Sequence, residues 1–310
     1  MSRHAIVTGG AGFIGSHLAD ALLGDGWTVV VVDDLSTGGE RNVPADADLE
    51  IIDISQAPEL DRVMDRVRPV SVFHLAAQSS VTVSVQDPQR DCMVNVQGTL
   101  NVLEAAKRHR APVVFTSTGG AIYGNQAPIP TPEDSIPAPL APYGASKWAG
   151  EAYTVTWRAS SDLPHAVCRL GNVYGPRQSP HGEAGVIAIL SYHLWSKTSP
   201  TLYGYGRPTR DYVHVLDVVR ALIAANGIAG VFNIAAGVET DVKTIYEQLR
   251  AASGASVEPT LAPLRPGELE RSCLDPGRAR SHLGWSAQVP LDEGVRETYD
   301  ALVREFAAAA

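Results

Sequence analysis

In its first half the chain alternates short apolar runs, rich in β-branched residues, with stretches of helical periodicity. Residues 4–8, 27–32, 49–52, 70–75, 112–117 and 166–170 read as strands, and 14–23, 59–66, 94–108 and 143–159 as helices. The 27–32 run is nearly all valine and has no polar alternation, as in parallel strands buried on both faces. Strands that alternate with helices predict an α/β protein, a doubly wound parallel sheet of Rossmann type. After residue 175 the pattern loosens. Residues 176–183 read as a loop, 204–208 as turns, 216–225 and 242–252 as helices, 231–234 as a strand and 259–266 as a proline-rich segment. The expected organisation is a sheet domain over residues 1–175, with a later return around 213–236. A smaller mixed α/β part over 176–310 then walls a cleft, and the terminal alanines fray from a helix.

Composition adds exclusions. A formal net charge of -9 in 310 residues argues against a nucleic-acid partner, which would want a basic stripe. No stretch is apolar enough for a membrane span, and no leader-like apolar core opens the chain, so a cytoplasmic protein is expected. Cys92, Cys168 and Cys273 lie far apart without metal-ligand spacing. They read as three buried small apolar residues, with neither a metal site nor a disulfide framework.

The first strand runs directly into Thr8-Gly9-Gly10-Ala11-Gly12-Phe13-Ile14-Gly15. Glycines at 9, 12 and 15 suit a sharp strand-to-helix turn, close approach of backbone to a pyrophosphate, and tight helix packing. The pyrophosphate then lies on a helix N-terminus. Asp33, 18 residues after Gly15, can accept hydrogen bonds from a ribose and would repel a 2'-phosphate, which favours NAD over NADP. Asp34 beside it is an alternative, or a solvated turn acid. Asp53, read as ending the third strand, can meet the adenine. Further along, Pro142 opens a helix in which Tyr143 and Lys147 stand four residues apart on one face. A lysine ammonium near a phenol favours the phenolate, so the pair can take a proton from a hydroxyl.

Together the glycine fingerprint, Leu75-Ala76-Ala77-Gln78, the Tyr143/Lys147 pair and Arg169-Leu170-Gly171-Asn172-Val173-Tyr174-Gly175-Pro176 resemble the extended short-chain dehydrogenase/reductases. Within the NAD-dependent epimerases and dehydratases of that group, the chain looks most like the UDP-glucose (UDP-galactose) 4-epimerases. The likeness continues through Arg210-Asp211-Tyr212-Val213 and Arg265-Pro266-Gly267-Glu268. It implies NAD held by Gly9, Gly12, Phe13, Ile14, Gly15, Asp33, Asp34, Ser36, Thr37, Gly38, Asp53, Ile54, Leu75, Ala76, Ala77, Gln78 and Lys147. It makes Tyr143 the base, with Lys147 holding both it and the nicotinamide ribose.

The likeness also calls for a serine or threonine at the end of the 112–117 strand. The commonest spacing, counted back from Tyr123, falls on Gly119. Thr118 is assigned instead, through a one-residue bulge at Gly119-Gly120, with Ser117 as fallback. Ser79, Val81, Thr118, Tyr143, Asn172, Val186, Tyr203, Arg210, Arg265 and Glu268 are the residues implied to hold the nucleotide sugar.

The resembling 4,6-dehydratases place an Asp-Glu pair after the threonine, and the UDP-glucuronate decarboxylases a glutamate. Glycines stand there in this chain, and they cannot transfer protons. Reversible oxidation at C4 is therefore the expected reaction, with UDP-glucose and UDP-galactose first. UDP-glucuronate and UDP-N-acetylglucosamine stay open, since the loop Ser79–Val85 has no basic residue and Ser272, at a size-gating position of the family, is small. A dehydratase, decarboxylase or reductase of the same family is the alternative, and a non-catalytic NAD-binding regulator a distant one. The likeness further implies a homodimer through the 94–108 and 143–159 helices.

Overall fold

A computed structural model describes residues 3–181, 185–265 and 268–309. The strands are β1 (Arg3–Thr8), β2 (Trp27–Asp33), β3 (Asp48–Ile51), β4 (Ser71–His74), β5 (Val113–Thr118), β6 (Ala166–Leu170), β7 (Asn172–Tyr174), β8 (Thr201–Tyr203), β9 (Thr209–His214), β10 (Gly230–Ile234), β11 (Glu239–Asp241) and β12 (Thr260–Ala262). The helices are α1 (Phe13–Gly24), α2 (Ala57–Val67), α3 (Val81–Gln86), α4 (Pro88–Cys92), α5 (Gly98–Arg108), α6 (Gly119–Ile122), α7 (Pro142–Ser161), α8 (Val186–Trp195), α9 (Val215–Ala225), α10 (Val242–Ser253), α11 (Gly277–Leu283) and α12 (Leu291–Ala309).

Seven strands form one parallel sheet in the order β10-β6-β5-β4-β1-β2-β3. The valines of β2 divide between the two faces. Val29 and Val31 pack with Leu18 and Leu22 of α1, while Val30 and Val32 pack with Leu60 and Met64 of α2 and Leu103 of α5. Burial on both faces is why that run carries no polar alternation. The strand order reverses between β1 and β4, the place where open α/β sheets form a ligand crevice. Smaller sheets, β11-β9-β7 and β12-β8, follow β6 in the chain, and α8, α10 and α12 pack a core of Ile187, Leu190, Ile245, Leu249 and Val295 there.

Several sequence expectations need correction. β3 ends at Ile51, so Asp53 stands in the turn beyond it. The 94–108 helix is continuous with α4 through a π-helical turn at Met93–Gln97. Residues 79–85, read as a loop, are largely α3, whose first turn is capped by Ser80 Oγ accepting from the Val83 N–H (2.9 Å). Within the proline-rich 259–266 segment lies β12, α8 has no counterpart among the expected elements, and the expected C-terminal helix is α12, which starts as early as Leu291. Cys92 is exposed, so only two of the three cysteines are core residues. Gly182 and Glu183 of the 176–183 loop, and Pro266 and Gly267 of the 265–268 motif, lie outside the described residues. No described helix is long and apolar enough to cross a membrane.

Candidate active site

Gly9 leaves β1 with φ +72°, and a Cβ there would stand 2.6 Å from the Ala76 nitrogen. Only glycine permits both. A Cβ on Gly15 would run into the Gly9 carbonyl, so this glycine sets the closeness of α1 to the loop. Gly12 takes the N-cap position of α1 with no side-chain cap, and the first turn carries no acid. A Cβ on Gly12 would meet only the Gly9 oxygen, at 3.2 Å. Open amides at an uncapped helix start suit a pyrophosphate. Phe13 and Ile14, half buried, follow directly.

The Asp33 carboxylate closes the far side of this loop. Its Oδ2 accepts from the Ala11 N–H (3.0 Å) and its Oδ1 from the Leu35 N–H (2.9 Å). Burial raises its pKa, and the two amides pull it back. Each oxygen keeps a lone pair for a hydroxyl. Asp34 accepts from both the N–H and the hydroxyl of Ser36, at 3.0 and 2.6 Å. Thr37 and Gly38 then carry the chain back over Ala11, whose carbonyl accepts from the Gly39 N–H and from Asn42 Nδ2, both at 3.1 Å. Asp53 is occupied locally by the Ser55 N–H (2.8 Å), and Ile54 is buried against Gly98. These residues fit a dinucleotide with an unphosphorylated ribose.

Leu75 to Gln78 leave β4 across the same crevice. Leu75 donates to the Thr8 carbonyl (3.0 Å) and Ala76 to the Thr8 hydroxyl (3.3 Å). His74 lies beneath, with Nδ1 2.7 Å from Thr8 Oγ1 and Nε2 3.0 Å from Thr99 Oγ1. Because Thr99 gives its own proton to the Asn95 carbonyl (2.7 Å), His74 must donate through Nε2 and accept through Nδ1. A neutral imidazole agrees with burial, which pulls His74 down to about 3, with Lys147 adding to the effect.

Gln78 links this exit to α7. Its N–H donates to Asn95 Oδ1 (2.8 Å) and its Nε2 to Asp91 Oδ1 (2.8 Å). Asn95 Nδ2 reaches Ser146 Oγ (3.0 Å), which donates to the Tyr143 carbonyl (3.0 Å). His74, Asp91, Asn95 and Ser146 escaped the sequence reading. Asn95 joins this network from the π-helical turn, while His74, Asp91 and Ser146 are buried on β4, α4 and α7.

The Tyr143 phenol is hydrogen-bonded to the Thr118 side chain. Burial raises Tyr143 to about 12, with the Thr118 bond opposing that rise, so the phenol is protonated near neutrality. The expected lowering by Lys147 is not what sets this phenol: burial, the Thr118 bond and the nearby Asp91 charge do. Lys147 is itself pulled down to about 8 by burial and stands 4.5 Å above the Phe115 ring. Thr118 reaches Tyr143 without the expected bulge. β5 keeps its register through Ser117↔Arg169 and Thr118↔Leu170, and Gly119-Gly120 open the short α6 instead. Ser117 is buried, and its hydroxyl has no partner among the described residues.

The two glycines differ in setting. A Cβ on Gly119 would strike the Leu274 side chain. One on Gly120 would enter the space between Asn172 Oδ1 (3.6 Å) and Thr118 Oγ1 (3.9 Å). Asn172 opens β7, one residue beyond β6, so the sheet edge brings it to Thr118.

A second cluster forms farther along. Tyr203 ends β8, and the Arg265 guanidinium lies 4.6 Å from its ring centre. Arg265 also pairs with Glu268, its Nε 2.7 Å from Oε1. Arg210 on β9 is half buried, donates to the Thr209 carbonyl (2.8 Å), and has its pKa lowered by burial. Asp211 binds the N–H groups of Ala236 (2.8 Å), Gly237 (3.0 Å) and Leu274 (3.2 Å), tying β9 to the segment that carries Ser272. Val186 packs into the core beneath α8, whereas Ser79 and Val81 are exposed at the start of α3.

An uncapped glycine loop at the switch point of a Rossmann sheet, facing a Tyr-Lys-Thr set, defines a dinucleotide-dependent enzyme. Residues 5–235 match the NAD dependent epimerase/dehydratase family, and the chain belongs to that family; its cofactor is NAD. It is 45% identical over 303 residues to a UDP-glucose 4-epimerase of Mycolicibacterium smegmatis, covering 95% of this chain and 97% of that one. The fold matches the crystal structure of Thermotoga maritima UDP-glucose 4-epimerase with UDP-glucose, at a TM-score of 0.95 and 40% identity over 98% of this chain and 99% of that one. It also matches Thermus thermophilus UDP-glucose 4-epimerase in complex with NAD, at 0.91 and 41%, over 96% and 98%.

Proposed function

We propose that this protein is a UDP-hexose 4-epimerase, with UDP-glucose and UDP-galactose as its first substrates. UDP-glucuronate and UDP-N-acetylglucosamine are the further substrates to assay. The observation that carries the reading is the pairing of Tyr143 with Thr118 beside a glycine at 120. That pocket supports proton transfer at one hydroxyl, and the two residues that follow Thr118 are glycines, which carry no acid or base. The solved relatives with UDP-glucose and with NAD support the same assignment.

In this reading Tyr143 Oη takes the proton of the sugar 4-hydroxyl, while Thr118 holds that oxygen in line. NAD, when bound, supplies a hydride acceptor at C4, a donor for the return, and a positive charge beside the phenol. That charge matters because burial alone keeps Tyr143 protonated. Lys147 adds a second cation and holds the cofactor's ribose. After the 4-keto sugar turns over and presents its other face for the hydride's return at C4, Tyr143 gives the proton back to the C4 oxygen. The sugar must turn while its nucleotide stays fixed. Asn172 and Arg210 are assigned to the diphosphate, Tyr203 to the uracil, and Arg265 and Glu268 to the outer phosphate and ribose.

Residues 1–175, with the return at 213–236, are assigned to NAD, and 176–310 to the nucleotide sugar. The exposed Met93, Trp148 and Tyr153, on the π turn and α7, support a homodimer through these helices. A cytoplasmic location is proposed from the cysteine usage. Incubation with each UDP-sugar, followed by chromatography, tests the assignment: 4-epimers are expected, and 4-keto-6-deoxy or decarboxylated products would replace it with a sister reaction.

A further inference from the structure

Tyr143, Lys147 and Glu151 lie at successive four-residue steps along α7, one stripe facing the sheet. Lys147 and Glu151 are both buried, each 3% exposed. Arg169 of β6 grips the Glu151 carboxylate at three points, Nε to Oε1 (3.0 Å) and Oε2 (3.1 Å) and Nη2 to Oε2 (2.7 Å). The guanidinium is fixed in turn by donating from Nη1 to the Tyr123 hydroxyl (2.7 Å) and the Glu133 carbonyl (2.9 Å). A forked clamp of this kind sets both position and orientation of a carboxylate. Glu151 touches no substrate position in the reading above, so charge burial on this scale asks for another explanation.

The surroundings of Lys147 supply one. On α7 it lies one turn from Tyr143 and one turn from Glu151, and it meets Asp91 of α4, the neutral His74 of β4 and the Phe115 ring of β5. Glu151 and Asp91 are the acids acting on it, Glu151 the more strongly. Phe115 offers only its ring face, and His74 is uncharged. A buried ammonium without a counter-charge releases its proton. We infer that Glu151, clamped by Arg169, is a positioning residue that serves as the fixed counter-charge of Lys147, holding the ammonium charged one helical turn from Tyr143. Arg169 competes for the same carboxylate and so limits how strongly it acts. The inference rests on the proposed role of Lys147 but reads a property of the protein that exists without substrate.

Only four lysines occur in the chain, Lys107, Lys147, Lys197 and Lys243. Lysine-selective isotope labelling therefore gives an NMR spectrum in which Lys147 is assigned by its loss in Lys147→Met. In the unaltered protein its midpoint is expected near 8. In Glu151→Gln the midpoint falls by about one pH unit, a tenfold change in proton affinity, and the alkaline limb of kcat moves with it while KM holds. Because that variant leaves Arg169 buried and unpaired, Glu151→Gln/Arg169→Met is measured beside it, with a smaller fall expected because the repulsion of the guanidinium is gone. Arg169→Met alone frees Glu151 and moves the midpoint the opposite way. A Lys147 midpoint unchanged or raised in folded Glu151→Gln, or a fall in Arg169→Met, would overturn the inference. If the midpoint moves as stated but the kcat limb does not, the counter-charge stands and the proposed role of Lys147 in turnover fails.

Discussion

Thr118 and Tyr143 meet through their side-chain oxygens, although 25 residues separate them in sequence. β5 ends by aiming Thr118 into the crevice while its neighbour Ser117 turns into the interior. Thr118→Val is expected to lower kcat by about a hundredfold with the fold intact, since it removes a hydrogen bond made at the reacting oxygen. Ser117→Ala deletes a buried hydroxyl that has no protein partner. It should keep full turnover and leave stability unchanged or raised by up to about 1 kcal/mol. Steady-state kinetics and thermal unfolding of both variants decide which hydroxyl serves.

Buried imidazoles make the protein sensitive to acid: burial lowers His17, His74, His165 and His214, with the largest shifts at His74 and His165. Burial lowers His74 to about 3 and His165 to about 4, against the usual 6.5. Between those values and 6.5 the unfolded chain binds more protons than the folded one. Their stabilisation is therefore complete above pH 6.5 and declines as pH falls, at about 1.4 kcal/mol per pH unit for each imidazole. His74→Asn, which keeps a donor and an acceptor, should reduce the slope by about 1.4 kcal/mol per pH unit in denaturant titrations between pH 6 and 4.5. An unchanged slope would mean that His74 does not take up a proton on unfolding.

The cofactor loop gives a different separation. Gly15→Ala forces a methyl into the Gly9 carbonyl and should abolish copurifying NAD together with much of the stability. Asp33→Ala removes the acceptor for Ala11 and Leu35 but leaves the loop's glycines. NAD binding should weaken at least tenfold, about 1.4 kcal/mol, with kcat recovered at saturating NAD. Cofactor released by heat and quantified by chromatography reads both.

Arg210 and Arg265 should differ in how much they matter. Arg265 is exposed and already paired with Glu268, whereas Arg210 is half buried, with a guanidinium whose charge burial disfavours. An anion beside Arg210 relieves more desolvation. Arg210→Ala is expected to raise KM for a UDP-sugar by about thirtyfold, roughly 2 kcal/mol, and Arg265→Ala by less than fivefold.

Much of this was legible in the sequence because local rules agree with the fold. The valine run of β2, the glycines that only a tight turn requires, and Pro142 before Tyr143 all announce themselves. What escaped depends on distant partners. β12 exists because it pairs with β8, and its own residues, Thr260 to Ala262, sit in a proline-rich stretch. The extent of α12 shows only in its packing against α8 and α10, and no composition rule marks the π-helical turn that carries the buried Asn95. The protonation of Tyr143 differs from the expectation for a related reason: the spacing places the lysine, but burial raises the phenol and Thr118 supplies the opposing interaction.

The most direct test of the central claim is to follow UDP-galactose and UDP-glucose by chromatography with purified protein and no added NAD, beside Tyr143→Phe. The account predicts approach to one equilibrium mixture from either sugar, and a loss of at least a thousandfold in the variant. Folded, NAD-loaded protein that converts neither sugar, or a Tyr143→Phe variant with undiminished turnover, would contradict it.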